Sequence, residues 1–156
     1  MRHHLLVTLV ALLAAVGGSP TAVAETPDRD QFACLALNVY WEARDTAPEV
    51  QRSVAHVTLN RVAHTEFPNS ICEVVQEGGE LGRNRCQFSW WCDGKDDDPE
   101  DADAWSQAQD IARTVAEGES DDPTGGALFF HHKSVKPDWA DTRQETARNG
   151  DHIYYK

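Results

Sequence analysis

The chain has 156 residues, of which 26 are Asp or Glu and 14 are Lys or Arg, giving a formal net charge of −12 at pH 7. This length suits one domain with a hydrophobic core. The acidic balance argues against nucleic acid as a partner, because a phosphate backbone is bound by basic surfaces. A charge of this size favours solubility, and we expect a monomer.

The first 24 residues have the pattern of a secretory signal peptide. Arg2 precedes an apolar stretch from Leu5 to Val16, and small residues follow up to Ala24. The pattern predicts cleavage after Ala24, which leaves one domain over residues 25–156 in the periplasm or outside the cell. The apolar stretch is short for a membrane span of about 20 residues. No second such stretch follows, so we expect no transmembrane segment after cleavage.

Two amphipathic helices are predicted at the start of the mature chain. The first runs from Asp30 to Arg44, with Leu35 and Val39 on its apolar face. The second lies in "DTAPEVQRSVAHVTLNRVAH", where Thr46 can cap the helix and Pro48 suits its first turn.

Two further helices are predicted downstream. In "NSICEVVQEGG", Ser70 and Glu73 form a capping box, and the glycine pair that starts at Gly78 ends the helix. The fourth helix is predicted to start with Asp98 as its cap and to end at Gly118. Its apolar stripe consists of Trp105, Ala108, Ala112 and Val115.

Two short stretches near the C-terminus have strand character. The first, "ALFFHH", follows the turn signal "DDPTGG". The dipeptide Asn149-Gly150 favours a tight turn before the last strand. The chain is therefore predicted to have an α+β fold, mainly helical with a small β region.

Four cysteines are present, and an even number in an exported chain predicts two disulfides. Cys86 and Cys92 bracket a short loop, so we pair them and leave Cys34 with Cys72. The competing interpretation is a zinc site, but no C-x-x-C spacing occurs. We expect no metal and no cofactor.

Glu42 lies in the run "NVYWEAR", near the end of the first predicted helix. Its neighbours on the same helix face are Asn38, Val39 and Leu35, none of which is a cation. The helix dipole disfavours a negative charge in the last turn, and burial would disfavour it further. A carboxyl group that stays protonated near neutral pH can donate a proton to a leaving oxygen, as the acidic glutamate of lysozyme does. The alternative is an ordinary surface glutamate.

A second carboxylate is what most glycosidases require. The candidates share one acidic stretch and are Asp93, Asp96, Asp97, Asp98, Glu100, Asp101 and Asp103. Capping of the fourth helix and solvation of a charged run explain several of them; Asp93 is the least explained. A lytic transglycosylase needs one carboxyl group only, because a hydroxyl of the substrate is the nucleophile.

The loop "CQFSWWC" combines flat aromatic side chains with hydrogen-bonding groups. Phe88, Trp90 and Trp91 are difficult to bury together in so short a loop, and Gln87 and Ser89 stand between them. Aromatic faces beside polar groups suit a sugar ring. The alternative is a small satellite core under the loop.

Successive residues of a strand point to opposite faces, so only one of His131 and His132 can face a cleft. Either is a candidate, and we select His131. Asn60 and Arg61 in "TLNRV" are expected to make structural hydrogen bonds.

Seven blocks occur in order: "YWEAR", "VAHVTLNRV", "FPNSICEVV", "CQFSWWCDG", "DPTGGALFFHH", "VKPDWA" and "NGDHIYY". They resemble the SleB/CwlJ-type cell wall hydrolase family of spore-cortex-lytic enzymes, and especially its exported relatives in bacteria that form no spores. The resemblance covers Phe32 to Tyr155.

This resemblance implies a lysozyme-like, lytic-transglycosylase-like domain over residues 25–156 that acts on peptidoglycan glycan strands. Glu42 matches the family's catalytic glutamate, which implies cleavage of the MurNAc–GlcNAc β-1,4 bond with release of 1,6-anhydro-muropeptides. By their position in the matching blocks, several residues are expected to line the cleft: Gln87, Phe88, Ser89, Trp90, Trp91, His131 and Tyr154.

The usual "EARGE" of the family reads "EARDT" here, with Asp45 and Thr46 in place of a glycine and a glutamate. The turn after the first helix is therefore expected to differ. Three other functions stay open on the sequence: a hydrolytic N-acetylmuramidase assisted by Asp93, a peptidoglycan-binding module without chemistry, and a zinc amidase.

Overall fold

Apolar residues at helical spacing form four α-helices in the part of the chain that the structure describes. The computed structural model describes residues 29–83 and 85–156. Its helices are α1 (Arg29–Ala43), α2 (Pro48–Val62), α3 (Ile71–Gln76) and α4 (Ala102–Ala116). The predicted helices are confirmed, while the predicted signal peptide lies outside the described residues.

Helix α1 is at the centre of the core and packs against the other three helices. Its residues Leu35, Val39 and Tyr40 are completely buried. Burying one side chain of this size stabilises the fold by about 1.5–3 kcal/mol. Its partners from the other helices include Ala55, Ile71, Val74, Val75, Ala108, Ala112 and Val115.

The start of α2 differs from the prediction. Its N-cap is Ala47, which has no side chain to cap the helix. The Thr46 hydroxyl instead donates to the carbonyl oxygen of Ala43 at 2.7 Å, in the turn that ends α1. Thr46 therefore closes the preceding helix, because the last carbonyls of a helix have no partner within it.

The start of α4 also differs, because the N-cap is Asp101 and not Asp98. The carboxylate of Asp101 accepts hydrogen bonds from the amides of Asp103 and Ala104, each at 3.0 Å. Its own amide donates to the Tyr40 hydroxyl at 3.1 Å. This contact with α1 fixes where the helix begins. Sequence alone could not select among several neighbouring aspartates.

The cap of α3 follows the prediction, since the Ser70 side chain accepts from the Glu73 amide. The Ser70 hydroxyl also donates to the Glu73 carboxylate at 2.7 Å. Gly78 follows the helix with φ +87°, and a Cβ there would lie 2.5 Å from the Arg85 carbonyl oxygen. A glycine is required at this position because it meets both constraints.

The β region is one antiparallel sheet of three strands in the order β1-β3-β2. The strands are β1 (Phe129–His132), β2 (Glu145–Asn149) and β3 (His152–Tyr155). Phe129 pairs with Tyr155 across β1 and β3. Strand β2 was not predicted, because "ETARN" lacks the aromatic and alternating pattern of its neighbours.

The hairpin of β2 and β3 is fixed to α2. The side-chain amide of Asn149 donates to the Ser53 hydroxyl at 2.9 Å. Gly150 has φ +55°, and a Cβ there would approach a methyl group of Val50 to 2.9 Å. The predicted tight turn is confirmed, and it lies against the helix.

The two predicted disulfides are confirmed. Cys34–Cys72 joins α1 to α3. Cys86–Cys92 closes the loop "CQFSWWC" (residues 86–92), which we call the tryptophan loop. Short 3-10 helices occur at Gly79–Leu81, Ser89–Cys92 and Asp138–Thr142. The structure is thus α+β and mainly helical, as predicted.

Across residues 29–83 and 85–156, no helix is both long and apolar enough to span a bilayer. In the same ranges, no three His, Cys, Asp or Glu side chains are grouped so that they could hold a metal ion.

The two disulfides are expected to differ in their contribution to stability. Cys34 and Cys72 are 38 positions apart, whereas Cys86 and Cys92 are 6 apart. From loop-closure entropy we expect the free energy of unfolding to fall by about 4 kcal/mol in a Cys34→Ala/Cys72→Ala variant. In Cys86→Ala/Cys92→Ala it should fall by about 2 kcal/mol. Urea unfolding of both variants beside the parent measures the difference. Equal losses, or a larger loss for the short loop, would contradict this order.

Candidate active site

Glu42 is in the last turn of α1 and is partly exposed. Among the described residues, no hydrogen-bond donor contacts its carboxyl group, and no cation lies within 4.0 Å of it. Burial raises the pKa of Glu42 to about 7, and the positive charge of Arg61 opposes the shift. Glu42 is thus able to hold and release a proton near neutral pH.

Arg61, on α2, is the largest of the completely buried side chains, with 1% of its surface exposed. Its Nε donates to the Leu128 carbonyl oxygen at 2.7 Å. Burial lowers the pKa of Arg61 to about 10, while the carboxylates of Glu77 and Glu42 oppose the shift and Arg143 adds to it. The expected structural hydrogen bond of Arg61 is present, but its charge also acts on Glu42.

Aromatic rings surround the Arg61 guanidinium. The rings of Phe88, Phe67 and Phe129 have their centroids 5.1, 5.2 and 5.7 Å from its Cζ atom. Cation–π attraction of this kind offsets part of the cost of removing the charge from water. Among the described residues, one buried carboxylate oxygen of Glu77 finds no hydrogen-bond partner. Arg61 is therefore a cation shared between two carboxyl groups.

The tryptophan loop is divided between core and surface. Phe88 and Trp90 are 2% and 7% exposed and belong to the main core, whereas Trp91 is 36% exposed. Gln87 and Ser89 are exposed beside it. A buried ring cannot contact a sugar, so Phe88 and Trp90 depart from the predicted substrate-binding role and support the site from beneath. Gln87, Ser89 and Trp91 are left as surface candidates.

A buried hydrogen-bond chain positions the loop against α1. The indole N–H of Trp90 donates to the Asn38 side-chain oxygen at 3.0 Å, and the Asn38 amide donates to the Thr58 hydroxyl at 3.0 Å. Asn38 is one helical turn before Glu42, so this chain fixes the loop behind the candidate acid.

In the acidic stretch that starts at Asp93, carboxylates accept hydrogen bonds from backbone amides close to them in sequence. Asp93 accepts from the Lys95 amide at 2.9 Å and forms an ion pair with its ammonium group at 3.0 Å. These Lys95 hydrogen bonds lower the pKa of Asp93. Asp96 accepts from the Asp98 amide. The carboxylates of this stretch that make hydrogen bonds thus form local turns or cap α4. This agrees with the prediction that capping and solvation explain several of these acids.

His131 and Tyr155 are adjacent on β1 and β3. Their rings stack at 5.4 Å, and the His131 Nε2 atom lies 3.0 Å from the Tyr155 hydroxyl. The His131 Nδ1 atom is 2.9 Å from the His132 carbonyl oxygen. Because a carbonyl only accepts, Nδ1 carries the proton, and in the neutral ring Nε2 accepts from the tyrosine.

Tyr154 is completely buried, in a small cluster with Val57 and Ala127. Burial raises its pKa to about 12. This departs from the prediction that Tyr154 lines the cleft. Its neighbour Tyr155 points to the opposite face of the sheet, where it is 7% exposed and contributes to the lining of a groove.

His131 and Tyr155 line a groove of about 490 Å³, and Arg143 contributes to the same wall. Arg143 lies with its Cζ 3.5 Å from the Phe129 ring centroid, and Trp139 packs against that ring at 5.7 Å. Phe129 is the ring that Arg61 also approaches. Phe129 thus lies between Arg143, which lines the groove, and the buried Arg61.

Five residues of this site were not predicted from the sequence: Arg61, Glu77, Trp139, Arg143 and Tyr155. For Arg61 there was a signal, since a cation in the buried stretch "VTLNRV" needs compensating charge. The other four are far from Glu42 in the sequence, and only the fold brings them into this region.

A comparison with known families resolves the identity of the domain. The model of the Cell Wall Hydrolase family matches residues 45–155. The chain belongs to this family. The matched region begins three residues after Glu42, next to the position where "EARGE" is replaced by "EARDT".

Over 144 residues, the chain is 29% identical to the spore cortex-lytic enzyme of Oceanobacillus iheyensis. The alignment covers 90% of this chain and 47% of that protein. The chain therefore spans about half the length of this curated relative.

Two crystallographic catalytic domains share the fold. The catalytic domain of Bacillus cereus SleB matches with a TM-score of 0.65 and 28% identity, covering 90% of this chain and 100% of the other. The catalytic domain of the germination-specific lytic transglycosylase SleB from Bacillus anthracis matches with a TM-score of 0.67 and 28% identity. That match covers 86% of this chain and 100% of the other. The expected SleB-type fold is confirmed.

The elevated pKa of Glu42 has a consequence for stability. Its ordinary value is 4.5, and in the folded state it is about 7, so the folded state binds this proton more tightly than the unfolded state. The associated stability is fully present below the unfolded value and is lost as pH rises through the folded value. We expect Glu42→Gln to become more stable than the parent as pH rises from about 5 to about 8.

Urea unfolding of parent and variant across this range measures the effect. The same substitution at the exposed Glu117 is the matched control and is expected to follow the parent. A stability difference between Glu42→Gln and the parent that does not change with pH would show that Glu42 titrates alike in both states.

Proposed function

We propose that this chain is a peptidoglycan-cleaving lytic transglycosylase in which Glu42 is the single general acid and base. The observation that carries the proposal is the Glu42 carboxyl group itself, partly exposed, without a hydrogen-bond donor among the described residues, and with a pKa of about 7. Family membership and the likeness to SleB catalytic domains support it.

In the proposed reaction, protonated Glu42 donates its proton to the glycosidic oxygen between MurNAc and GlcNAc. The bond from C1 of MurNAc to that oxygen breaks, and GlcNAc leaves with the proton. The C6 hydroxyl of the same muramic acid attacks C1, and its proton passes to the Glu42 carboxylate. The product is a 1,6-anhydro sugar, and the acid is restored without water.

Arg61 stabilises the carboxylate that exists between the two proton transfers. It is outside ion-pair contact, so it lowers the pKa of Glu42 without removing the proton from it near neutral pH. A cation in direct contact would keep Glu42 ionised, and the site would lack its acid. The distance between the two groups is therefore suited to a residue that must act as acid and then as base.

The exposed residues around the site are proposed to bind the glycan. Trp91 offers an aromatic face at 36% exposure, with Gln87 and Ser89 beside it. His131 contributes from the groove of the sheet. Sugar rings combine apolar faces with polar edges, which is the combination that these side chains present.

We propose that the chain works as a monomer outside the cytoplasm, with residues 1–24 directing its export to the periplasm or the medium. Two disulfides and membership in a cell wall hydrolase family fit an extracytoplasmic protein.

A hydrolytic muramidase is the second candidate, and Glu77 is the observation that favours it. Glu77 and Glu42 both act on Arg61, and Glu77 has a buried oxygen without a partner. A second carboxyl group so placed could activate water in place of the C6 hydroxyl. This assigns the helping role to Glu77, since Asp93 is engaged by Lys95.

Digestion of purified peptidoglycan with the parent and with Glu42→Gln tests the proposal. General acid–base catalysis is worth about 10²–10⁴-fold, so the variant should lose at least about a hundredfold in rate. Mass spectrometry should find 1,6-anhydro-muropeptides. The matched control Asp93→Asn should retain activity.

Products with ordinary reducing ends would replace the transglycosylase with the muramidase, and Glu77→Gln would then be inactive as well. Wall binding without turnover by the parent would favour a binding module. Activity that Glu42→Gln retains would remove Glu42 from the mechanism.

A further inference from the structure

The groove on the sheet gathers four cations, although the protein as a whole is strongly acidic. It has a volume of about 490 Å³, and its lining includes Lys133, Lys136, Arg143 and Arg148 together with the acids Asp141 and Glu145. The chain carries only 14 Lys and Arg against 26 acids. The charge that this groove offers a ligand therefore depends on which of the cations are paired.

Three of these four cations already have a carboxylate partner. Lys133 pairs with Asp151 at 2.6 Å, and Lys136 pairs with Asp141 at 2.9 Å. Arg148 forms two hydrogen bonds with Glu145, at 2.6 and 2.7 Å. These pairs define the walls of the groove and leave little charge available for a ligand.

Arg143 is different, since no carboxylate in residues 29–83 and 85–156 lies within 4.0 Å of it. Its guanidinium lies 3.5 Å from the centroid of the Phe129 ring, and the side chain is exposed. Stacking on the ring holds the guanidinium in place while leaving its N–H groups available to a carboxylate. Arg143 also lines the neighbouring groove along α2 and is thus common to both.

The position of Arg143 relates this groove to the site of cleavage. Arg143 and Arg61 lie 3.5 and 5.7 Å from the same Phe129 centroid, and Arg61 acts on Glu42. Arg143 and Glu42 thus both act electrostatically on the same buried guanidinium. In peptidoglycan, a peptide with free carboxylates is attached to the muramic acid at the bond that Glu42 would cleave.

We propose that Arg143 is a specificity-determining residue that binds a carboxylate of the stem peptide on muramic acid. This inference rests on the proposed function and narrows its substrate to glycan strands that carry peptides. The stacked guanidinium forms a bidentate pair with the carboxylate, while the glycan lies towards Glu42 and Trp91. The enzyme would then prefer peptide-bearing wall over naked glycan.

Initial rates on three substrates test this: intact peptidoglycan, the same material with its carboxylates converted to amides by carbodiimide and ammonium, and glycan strands freed of peptides by an amidase. The last retains only the lactyl carboxylate of muramic acid. The parent should cleave intact peptidoglycan about tenfold faster than either of the others, as expected for one hydrogen-bonded pair with a charged group.

Arg143→Gln should cleave all three substrates at the slower rate, and Arg143→Lys should recover part of the preference. The matched control Arg113→Gln removes a positive charge from the exposed face of α4 and should keep the tenfold ratio. Circular dichroism and thermal melting verify that each variant is folded.

If Arg143→Gln still cleaved intact peptidoglycan about tenfold faster than the other two substrates, the assignment of Arg143 as the specificity-determining residue would be overturned. Faster cleavage of the peptide-free strands than of intact and amidated material would overturn it by assigning the contact to the lactyl carboxylate, which is free only after the peptide has been removed. Absence of cleavage on every substrate would overturn the proposed function and this inference with it, whereas cleavage without discrimination would overturn only the inference.

Discussion

The buried guanidinium of Arg61 is the constraint around which the site is assembled. A cation that is 1% exposed costs several kcal/mol unless its charge and hydrogen-bonding groups are compensated. The charge is compensated from separate parts of the chain: a carbonyl oxygen before β1, three phenylalanine rings, and the carboxyl groups of Glu42 and Glu77, while the Nη1 atom of Arg61 finds no hydrogen-bond partner among the described residues. The helices, the tryptophan loop and the sheet therefore have to assemble together around one side chain.

The same arrangement sets the chemistry of Glu42. Burial disfavours its ionised form, and Arg61 favours that form from outside ion-pair distance, so that the pKa is near 7. Because burial outweighs the attraction of Arg61, the proton is available at neutral pH. The buried Asn38 chain holds the loop and helix together directly behind the acid. Stability and function thus both depend on polar groups within the core, namely Arg61 and the hydrogen bonds of Asn38.

Much of the fold could be predicted from sequence, because helical periodicity and the cysteine spacing are local signals. Capping was less predictable: Asp101 caps α4 because its amide contacts Tyr40, and no local signal separates it from Asp98. In the site, the surroundings of Glu42 on α1 left an ordinary surface glutamate as an alternative, and the resemblance to the cell wall hydrolase family selected it as the candidate acid. The cation that acts on it lies on α2. The alternation along β3 sends Tyr154 and Tyr155 to opposite faces, where both are buried but Tyr155 lines the groove, a distinction that depends on the register of the sheet.

The central claim is that Glu42 retains its proton near neutral pH in the folded protein. An NMR titration of ¹³C-labelled glutamate carboxyl groups tests it, with Glu42 identified as the signal that is absent in Glu42→Gln. A midpoint at about pH 7 is the result expected from the structure. A midpoint near the ordinary glutamate value of 4.5 would contradict it, because Glu42 would then be ionised when a glycan arrives and could not act as the acid.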